Sequence, residues 1–332
     1  MSTTSNISVS IHSNDTKSIK PLPQSIHSTV SYFESAIQNN HELSITVAAI
    51  QSLIHIITIS TSNTLMELQL ELKLCADQLL NSSIHSTRYY NSIQSGCILL
   101  QRTVTKYANE IINNDSQQSS FAQLKSMLSN KLITYEQSIL NARNMIAHTV
   151  TNTLFKHNTH NKQQHNILIH GYSRVVIQSL LYANKSNKKF RIYICNNSLQ
   201  QSDSQSCYNI LKQSNIDCIL ISANSIAYHM QSIDYILLGA ESLTENGGCI
   251  NSIGTLNITL IAQSYHKLVY VCCETYKFCR IYPLSQSDIT ANIDQYNPIL
   301  DYTRPELINL LFTEIGILSP NSVSDELIKL YY

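Results

Sequence analysis

The sequence predicts an α/β protein in two parts, an N-terminal all-helical domain followed by a doubly wound parallel sheet. Three observations carry that prediction. The hydrophobic period is helical through the first half. Beyond the polar stretch HNTHNKQQHN it gives way to short apolar runs alternating with helical segments. Five of only seven glycines, Gly171, Gly239, Gly247, Gly248 and Gly254, fall in one stretch of the second half. A length of 332 residues suits about two domains. With 43% hydrophobic and 13% charged residues the chain is too apolar for overall disorder, yet no apolar run approaches the roughly 18 residues of a membrane span. Lysine plus arginine equals aspartate plus glutamate at 22 each, so no net field draws the chain to nucleic acid or an anionic membrane. No membrane partner and no direct nucleic-acid partner is expected.

Residues 1–28 are rich in Ser, Thr and Asn without periodicity and are expected to be a flexible tail. Residues 29–156 form the helical domain, whose expected use is as an interaction surface. Leu43, Val47, Ile50, Ile54 and Ile57 repeat at three and four, as do Leu65, Leu68, Leu72, Cys75 and Leu79, where Thr64 and Glu67 offer a capping box. Another helix is expected over about 86–112, and the longest stripe is Phe121, Leu124, Leu128, Leu132, Tyr135, Ile139, Ala142 and Ile146.

Residues 157–332 form the second, Rossmann-like α/β domain. Strands are expected at 167–170, 191–195, 217–221, 235–238 and 268–273, with helices at 174–184, 205–214, 224–231 and 254–265 between them. Such a sheet commonly has strand order 3-2-1-4-5, so strands one and four lie side by side where the winding reverses, and ligands bind at their carboxyl ends. Gly171 follows strand one and the other four glycines follow strand four, which lines the crevice with all five. Glycine also simply ends strands, but strands two, three and five end without one.

Nine cysteines lie in apolar runs without a C-x-x-C pair, and the N-terminus lacks an apolar signal core, which points to reduced thiols and a cytoplasmic location. After strand one, His170, Gly171, Tyr172, Ser173 and Arg174 stand at a strand end and a helix N-terminus, where amide N–H groups and a guanidinium suit an anion. Arg174 equally suits a solvated helix start, and His170 a core histidine with a backbone partner. After strand four, Glu241, Glu245 and Asn251 precede another helix, with Glu241 facing the crevice. After strand five come Glu274 and Lys277, the lysine either a point charge for a phosphate or a surface residue. His157, His160 and His165 resemble a metal cluster only superficially, since an Asn/Gln-rich linker fixes no ligand geometry. Cys272 and Cys273 alternate faces of a strand and are expected to pack. No G-x-x-x-x-G-K-[ST] or G-x-G-x-x-G loop occurs.

At these same residues a resemblance emerges. ILIHGYSRVV, GAESLTENGGCINSIGT, ETYKF, DYTRPELINLLFTEIG and VSDELIKLYY, in that order, resemble the alpha/beta/delta subunit family of translation initiation factor 2B, weakly through the helical half and strongly from residue 167. The closing VSDELIKLYY and the short N-terminal extension resemble the alpha branch. The family includes isomerases of methylthioribose 1-phosphate and ribose 1,5-bisphosphate. Their catalytic cysteine follows the His of the strand-one motif, and their catalytic aspartate follows the Gly-Ala of strand four. Here those positions are Gly171 and Glu241. Glycine offers no thiol, and a longer carboxylate shifts proton transfer by about a bond when hydrogen-bond reach is roughly 2.6–3.2 Å, so no turnover is expected. The isomerases also carry Asn-Lys before Ile-Gly-Thr, where this chain has Asn251 and Ser252.

The resemblance implies a regulatory, non-catalytic subunit of the guanine nucleotide exchange factor for initiation factor 2. Its implied partners are a second copy of itself, bound through the sheet domains, the other initiation factor 2B subunits, and the phosphorylated alpha subunit of initiation factor 2. The alternatives are a sugar-phosphate isomerase and a free-standing sugar-phosphate-binding protein. No cofactor is implied. A sugar phosphate or nucleotide is the expected ligand at His170, Gly171, Tyr172, Ser173, Arg174, Glu241, Asn251 and Lys277. The apolar run LINLLFTEIGIL is expected to need the cover of a second copy. Phosphorylation adds about −1.5 to −2 charges, for which Arg88, Arg102, Lys106, Lys125, Lys131 and Arg143 are available, although solvated helix faces explain them as well.

Overall fold

A computed structural model of the chain describes residues 24–40, 42–82, 86–114, 120–155, 164–197, 201–289 and 296–331. Five helices come first: α1 (Gln24–Asn39), α2 (Ile45–Ile59), α3 (Leu65–Ser82), α4 (Ser86–Asn114) and α5 (Phe121–Leu154). Their starts are chemically marked. Ser44 accepts the Val47 amide at 3.1 Å, and Ser120 and Gln123 cap each other reciprocally. Thr64 and Glu67 form the expected box, each side chain accepting the other's amide at 3.2 Å. Because α1 begins at Gln24, residues 24–28 are helical rather than tail. α2 is apolar all round and sits at the centre of the bundle, with Ile50, Leu53, Ile56 and Ile57 fully buried against the stripes of the other helices.

The sheet half follows as β1 (His165–His170), α6 (Arg174–Lys185), β2 (Phe190–Asn196), α7 (Gln201–Gln213), β3 (Asp217–Ser222), α8 (Ile226–Met230), β4 (Tyr235–Gly239), β5 (Ser242–Thr244), β6 (Cys249–Ser252), α9 (Thr255–Ser264), β7 (Leu268–Cys272), β8 (Phe278–Cys279), β9 (Leu300–Thr303), β10 (Leu310–Thr313), β11 (Gly316–Leu318) and α10 (Val323–Tyr331). The main sheet has the order β11-β10-β7-β4-β1-β2-β3, so the five expected strands stand in the expected order and β1 and β4 meet at the reversal. All neighbours are parallel except β11, which runs antiparallel to β10. A second, four-stranded sheet, β8-β5-β6-β9, was not legible in the sequence because strands of two to four residues are too short to show a period.

Alternation along the strands divides two cores. Ile167, Ile169, Leu237 and Cys272 face α5, α6 and α7, while Leu168, Ile236, Leu238 and Cys273 face α8, α9 and α10. The vicinal cysteines thus pack on opposite faces as expected. α5 serves both halves: Leu128, Leu132 and Ala142 belong to the helical core, and Ile146 and Val150 to the sheet core. The cores therefore change over inside a helix.

Two expectations are corrected. Within LINLLFTEIGIL, Leu311 and Phe312 are fully buried in this same chain because β10 pairs with β7, Leu310 and Leu318 are half-buried, and Ile315 and Ile317 are the exposed large apolar residues. Of the three linker histidines, His157 and His160 lie outside the described residues, while His165 opens β1 and meets the Phe155 ring edge-on. Among the described residues no His/Cys/Asp/Glu group could hold a metal, and no helix is long and apolar enough to cross a membrane.

The β5–β6 hairpin tip rests on the turn before α10. Gly247 has φ +83°, and a Cβ there would lie 2.0 Å from the Pro320 carbonyl oxygen. Left-handed backbone alone costs about 1–2 kcal/mol for other residues, and the clash is with main chain that cannot rotate away. Gly247→Ala is therefore expected to lower stability by about 2 kcal/mol or more in urea unfolding. An unchanged midpoint would show that this contact contributes nothing.

Candidate functional site

The reversal between β1 and β4 opens a polar cavity of about 210 Å³, roofed by the helical domain. Ser173, the N-cap of α6, and Arg174 enter from the end of β1, and Glu241 follows β4. Asn251 comes from β6 and Lys277 from the turn after β7, while Arg88 on α4 and Arg143 on α5 close the cavity from above. Six of the eight candidate residues, Tyr172, Ser173, Arg174, Glu241, Asn251 and Lys277, line this one space.

His170 and Gly171 do not line it. His170 is 3% exposed and donates Nε2–H to the Ile253 carbonyl at 2.9 Å, while burial lowers its pKa, so it is a neutral core histidine that buttresses the turn. Gly171 lies behind the crevice, close to Ser252. The expectation that five glycines line the crevice is likewise corrected. Gly171, Gly239 and Gly254 pack behind its floor, against Ser252, Ser173 and His170, whereas Gly247 and Gly248 belong to the hairpin tip and meet Pro320 and Tyr302.

The electrostatics centre on Glu274, which is 0% exposed. Arg143 Nε lies 3.0 Å from one carboxylate oxygen and Lys277 Nζ 2.9 Å from the other. Tyr276 Oη donates to the first at 3.0 Å. Burial pushes this carboxyl up, but Lys277 and Arg143 together outweigh it and hold it at about 2. Lys277 also donates to the Ala240 carbonyl at 3.2 Å, so its charge enters the cavity already paired. Glu241 differs. Burial raises its pKa against the opposing pull of Lys277, Arg88 and Arg174.

Sequence reasoning offered Arg88 and Arg143 for a phosphate on a partner, with solvated helix faces as the alternative, and the structure places both in the crevice. Arg88 donates to Ser252 Oγ at 3.2 Å and lies 3.5 Å from Asp203 at the start of α7. Arg143 additionally donates to the Glu42 carbonyl at 2.8 Å. The signal was spacing: position 143 lies four after Ile139 and three before Ile146, on the buried stripe itself. The Nε–H groups of Arg88 and Arg174 are buried in the cavity wall without an acceptor. Among the described residues no cysteine lines the cavity.

The helical domain set over a doubly wound sheet is a fold shared with solved initiation factor 2B chains. The chain belongs to the initiation factor 2 subunit family, whose model matches residues 38–320. It is 35% identical over 327 residues to translation initiation factor eIF2B subunit alpha of Dictyostelium discoideum, covering 91% of this chain and 96% of that one. To the subunit alpha of Caenorhabditis elegans it is 30% identical over 316 residues, covering 92% and 98%. Its fold matches a chain of the tetrameric eIF2B-beta2-delta2 complex from C. thermophilum with a TM-score of 0.72 at 18% identity, covering 92% of this chain and 94% of that one. It matches the Pyrococcus horikoshii OT3 translation initiation factor eIF-2B with a TM-score of 0.62 at 15% identity, covering 90% and 98%.

The Glu274 cluster generates a test. Its folded pKa lies below the usual value of 4.5, so it contributes stability that is present above about pH 4.5 and lost as pH falls towards 2. Arg143→Ala leaves a buried carboxylate with one cation fewer. It is expected to destabilise by about 3 kcal/mol at neutral pH and to move the acid-unfolding midpoint upwards. Urea unfolding at neutral pH, followed by an acid titration of both proteins, measures the two effects.

Proposed function

We propose that the chain acts as a regulatory, non-catalytic subunit, of the alpha type, of the guanine nucleotide exchange factor for translation initiation factor 2, and makes that factor respond to phosphorylation of the alpha subunit of initiation factor 2. The observation that carries this is the near-complete coverage, in both directions, of two alpha-subunit relatives at 35% and 30% identity. The partners are the other initiation factor 2B subunits and a second copy of the chain in the cytoplasm. Tyr282, Leu284 and Tyr296, which are 65%, 86% and 94% exposed beside the small sheet, favour that face for the second copy, in place of the buried run around Phe312.

Four of the six cations considered for the phosphate are already engaged. Arg88 and Arg143 lie in the crevice, Lys131 pairs with Glu110 at 2.7 Å, and Lys125 donates to the Ser60 carbonyl. Arg102 and Lys106 remain exposed on α4, where with Lys329 of α10 they rim a separate cavity of about 400 Å³. A phosphorylated segment seated there gains charge-assisted hydrogen bonds. Exchange activity reconstituted with and without this subunit, on phosphorylated and unphosphorylated initiation factor 2, tests the assignment. Inhibition by the phosphorylated form is expected only when the subunit is present, and the double variant R102A/K106A is expected to relieve it about tenfold or more. Equal inhibition in both assemblies overturns the regulatory reading.

The crevice is read as a binding site for a sugar phosphate or nucleotide, without turnover. Two buried guanidinium N–H groups lacking an acceptor, the N-terminus of α6 and Asn251 favour an anionic, hydroxyl-bearing ligand. Glycine at 171 and the absence of a thiol on the cavity wall favour the absence of isomerase chemistry. Calorimetry with pentose phosphates, hexose phosphates and adenosine monophosphate is expected to give heat that Arg174→Ala weakens about tenfold or more. The same preparation is expected not to isomerise ribose 1,5-bisphosphate or methylthioribose 1-phosphate. Turnover lost on Glu241→Ala supports the isomerase instead, and silence with the whole panel rejects the ligand.

A further inference from the structure

Helix α9 begins at a glycine, and a glycine N-cap has no side chain with which to cap. Gly254 has φ +103°, and a Cβ there would meet the His170 ring at 3.3 Å. The missing cap arrives from another strand. Asp301 on β9, paired with Asn251 on β6, accepts the amides of Gly254 at 2.7 Å and Leu256 at 3.0 Å through one carboxyl oxygen. Asp301 is 4% exposed, and its second oxygen is buried with no hydrogen-bond partner. An unsatisfied buried acceptor is unfavourable. An asparagine or serine cap would avoid a buried charge, so the carboxyl calls for a reason.

The turn that Asp301 holds backs the crevice and continues from the Asn251 that lines it. Asn251 lines the cavity and donates to Thr255 Oγ1 at 3.2 Å, and Thr255 Oγ1 donates to the Ser252 carbonyl at 2.7 Å. Ser252 Oγ receives Arg88, and the Ile253 carbonyl receives His170. We propose that Asp301 is a positioning residue for the crevice, fixing the turn that presents Asn251 and seats Arg88, and that a proton on its carboxyl loosens this tether. The link to the crevice rests on the anion-binding reading above; the tether itself does not.

Each protonation state carries one defect. Ionised, the carboxylate holds both amides at full strength but leaves a charged oxygen unsatisfied. Protonated, either its O–H points from the second oxygen to no acceptor, or the proton sits on the first oxygen and displaces the amides. Burial raises this carboxyl against the pull of the Leu256 and Gly254 amides to about 7, which brings the two states close at neutral pH. Among the described residues Cys249 from β6 is the titratable group that interacts with it, while His170 from β1 lies beyond Gly254 and Arg88 from α4 beyond Ser252. In the connection before β9, Asp288 binds the Leu284 and Ser285 amides instead.

Inorganic sulfate is the appropriate probe, because it stays doubly charged where phosphate titrates. Ligand-free full-length protein is first followed by amide NMR from about pH 5.5 to about 8.5, where the Gly254 and Leu256 amide protons are expected to shift together with a midpoint near neutrality. In Asp301→Asn the shift is expected to vanish, although His170 is still present. Sulfate affinity is then expected to rise about fivefold from about pH 6 to about pH 8 in the wild type, against the ordinary preference of anions for low pH, and to change less than about twofold in D301N. A Gly254 amide that does not titrate, or that titrates equally in D301N, overturns the proposal, and the wild-type measurement decides this even if the variant fails to fold. Equal pH dependence of sulfate binding in both proteins overturns the link to the crevice. Absence of sulfate heat at both pH values rejects the anion-binding reading and that link together, while the amide titration still decides the tether.

Discussion

A buried carboxylate ties the two halves of this protein together. Glu274 stands just beyond β7, fully out of water, and is neutralised by one cation from each half, Arg143 from the helices and Lys277 from its own turn. A buried charge is tolerable only when paired, so the helical domain cannot lift from the sheet without exposing or stranding that carboxylate. Tyr276 strengthens the dependence, because its side chain lies in the helical core while its hydroxyl donates to Glu274. The crevice exists because of this docking. Its floor is built by the sheet, its roof by α2, α4 and α5, and its charges are set by residues that neither half supplies alone.

Most of the main sheet was legible because parallel strands buried on both faces leave continuous apolar runs, as in ILIH and YILLG. The small sheet was not, since CINS and SLT are short and polar and are buried by pairing rather than by composition. The candidate site was legible where side chains follow strand ends, which gave Arg174, Glu241, Asn251 and Lys277. It failed where a residue acts through the backbone. His170 stands in a motif that invites a chemical role, and its ring is taken up by the Ile253 carbonyl. Glycine placement marked the right region for a different reason than expected, since the glycines let segments pack tightly behind the crevice instead of opening it.

The roof residues were the hardest to read. Sequence separation hides that position 88 reaches Asp203 and Ser252, because the contact is set by how a helical bundle sits on a sheet and not by any local pattern. Arg143 did leave a trace, a cation on an otherwise apolar stripe. Such a residue is either an error of phase or the partner of something buried, and Glu274 is that partner.

The shared helix has a mechanical consequence. α5 is 34 residues long, a rod of about 50 Å at 1.5 Å per residue, anchored at one end in the bundle and at the other against β1 and α6. It carries no proline or glycine at which to kink. A load applied near Phe121 is therefore transmitted as torque to the sheet beneath Ile146 and Val150, with Arg143 and the crevice close to the fulcrum. A protein bound to the bundle thus has leverage on a cavity it never touches.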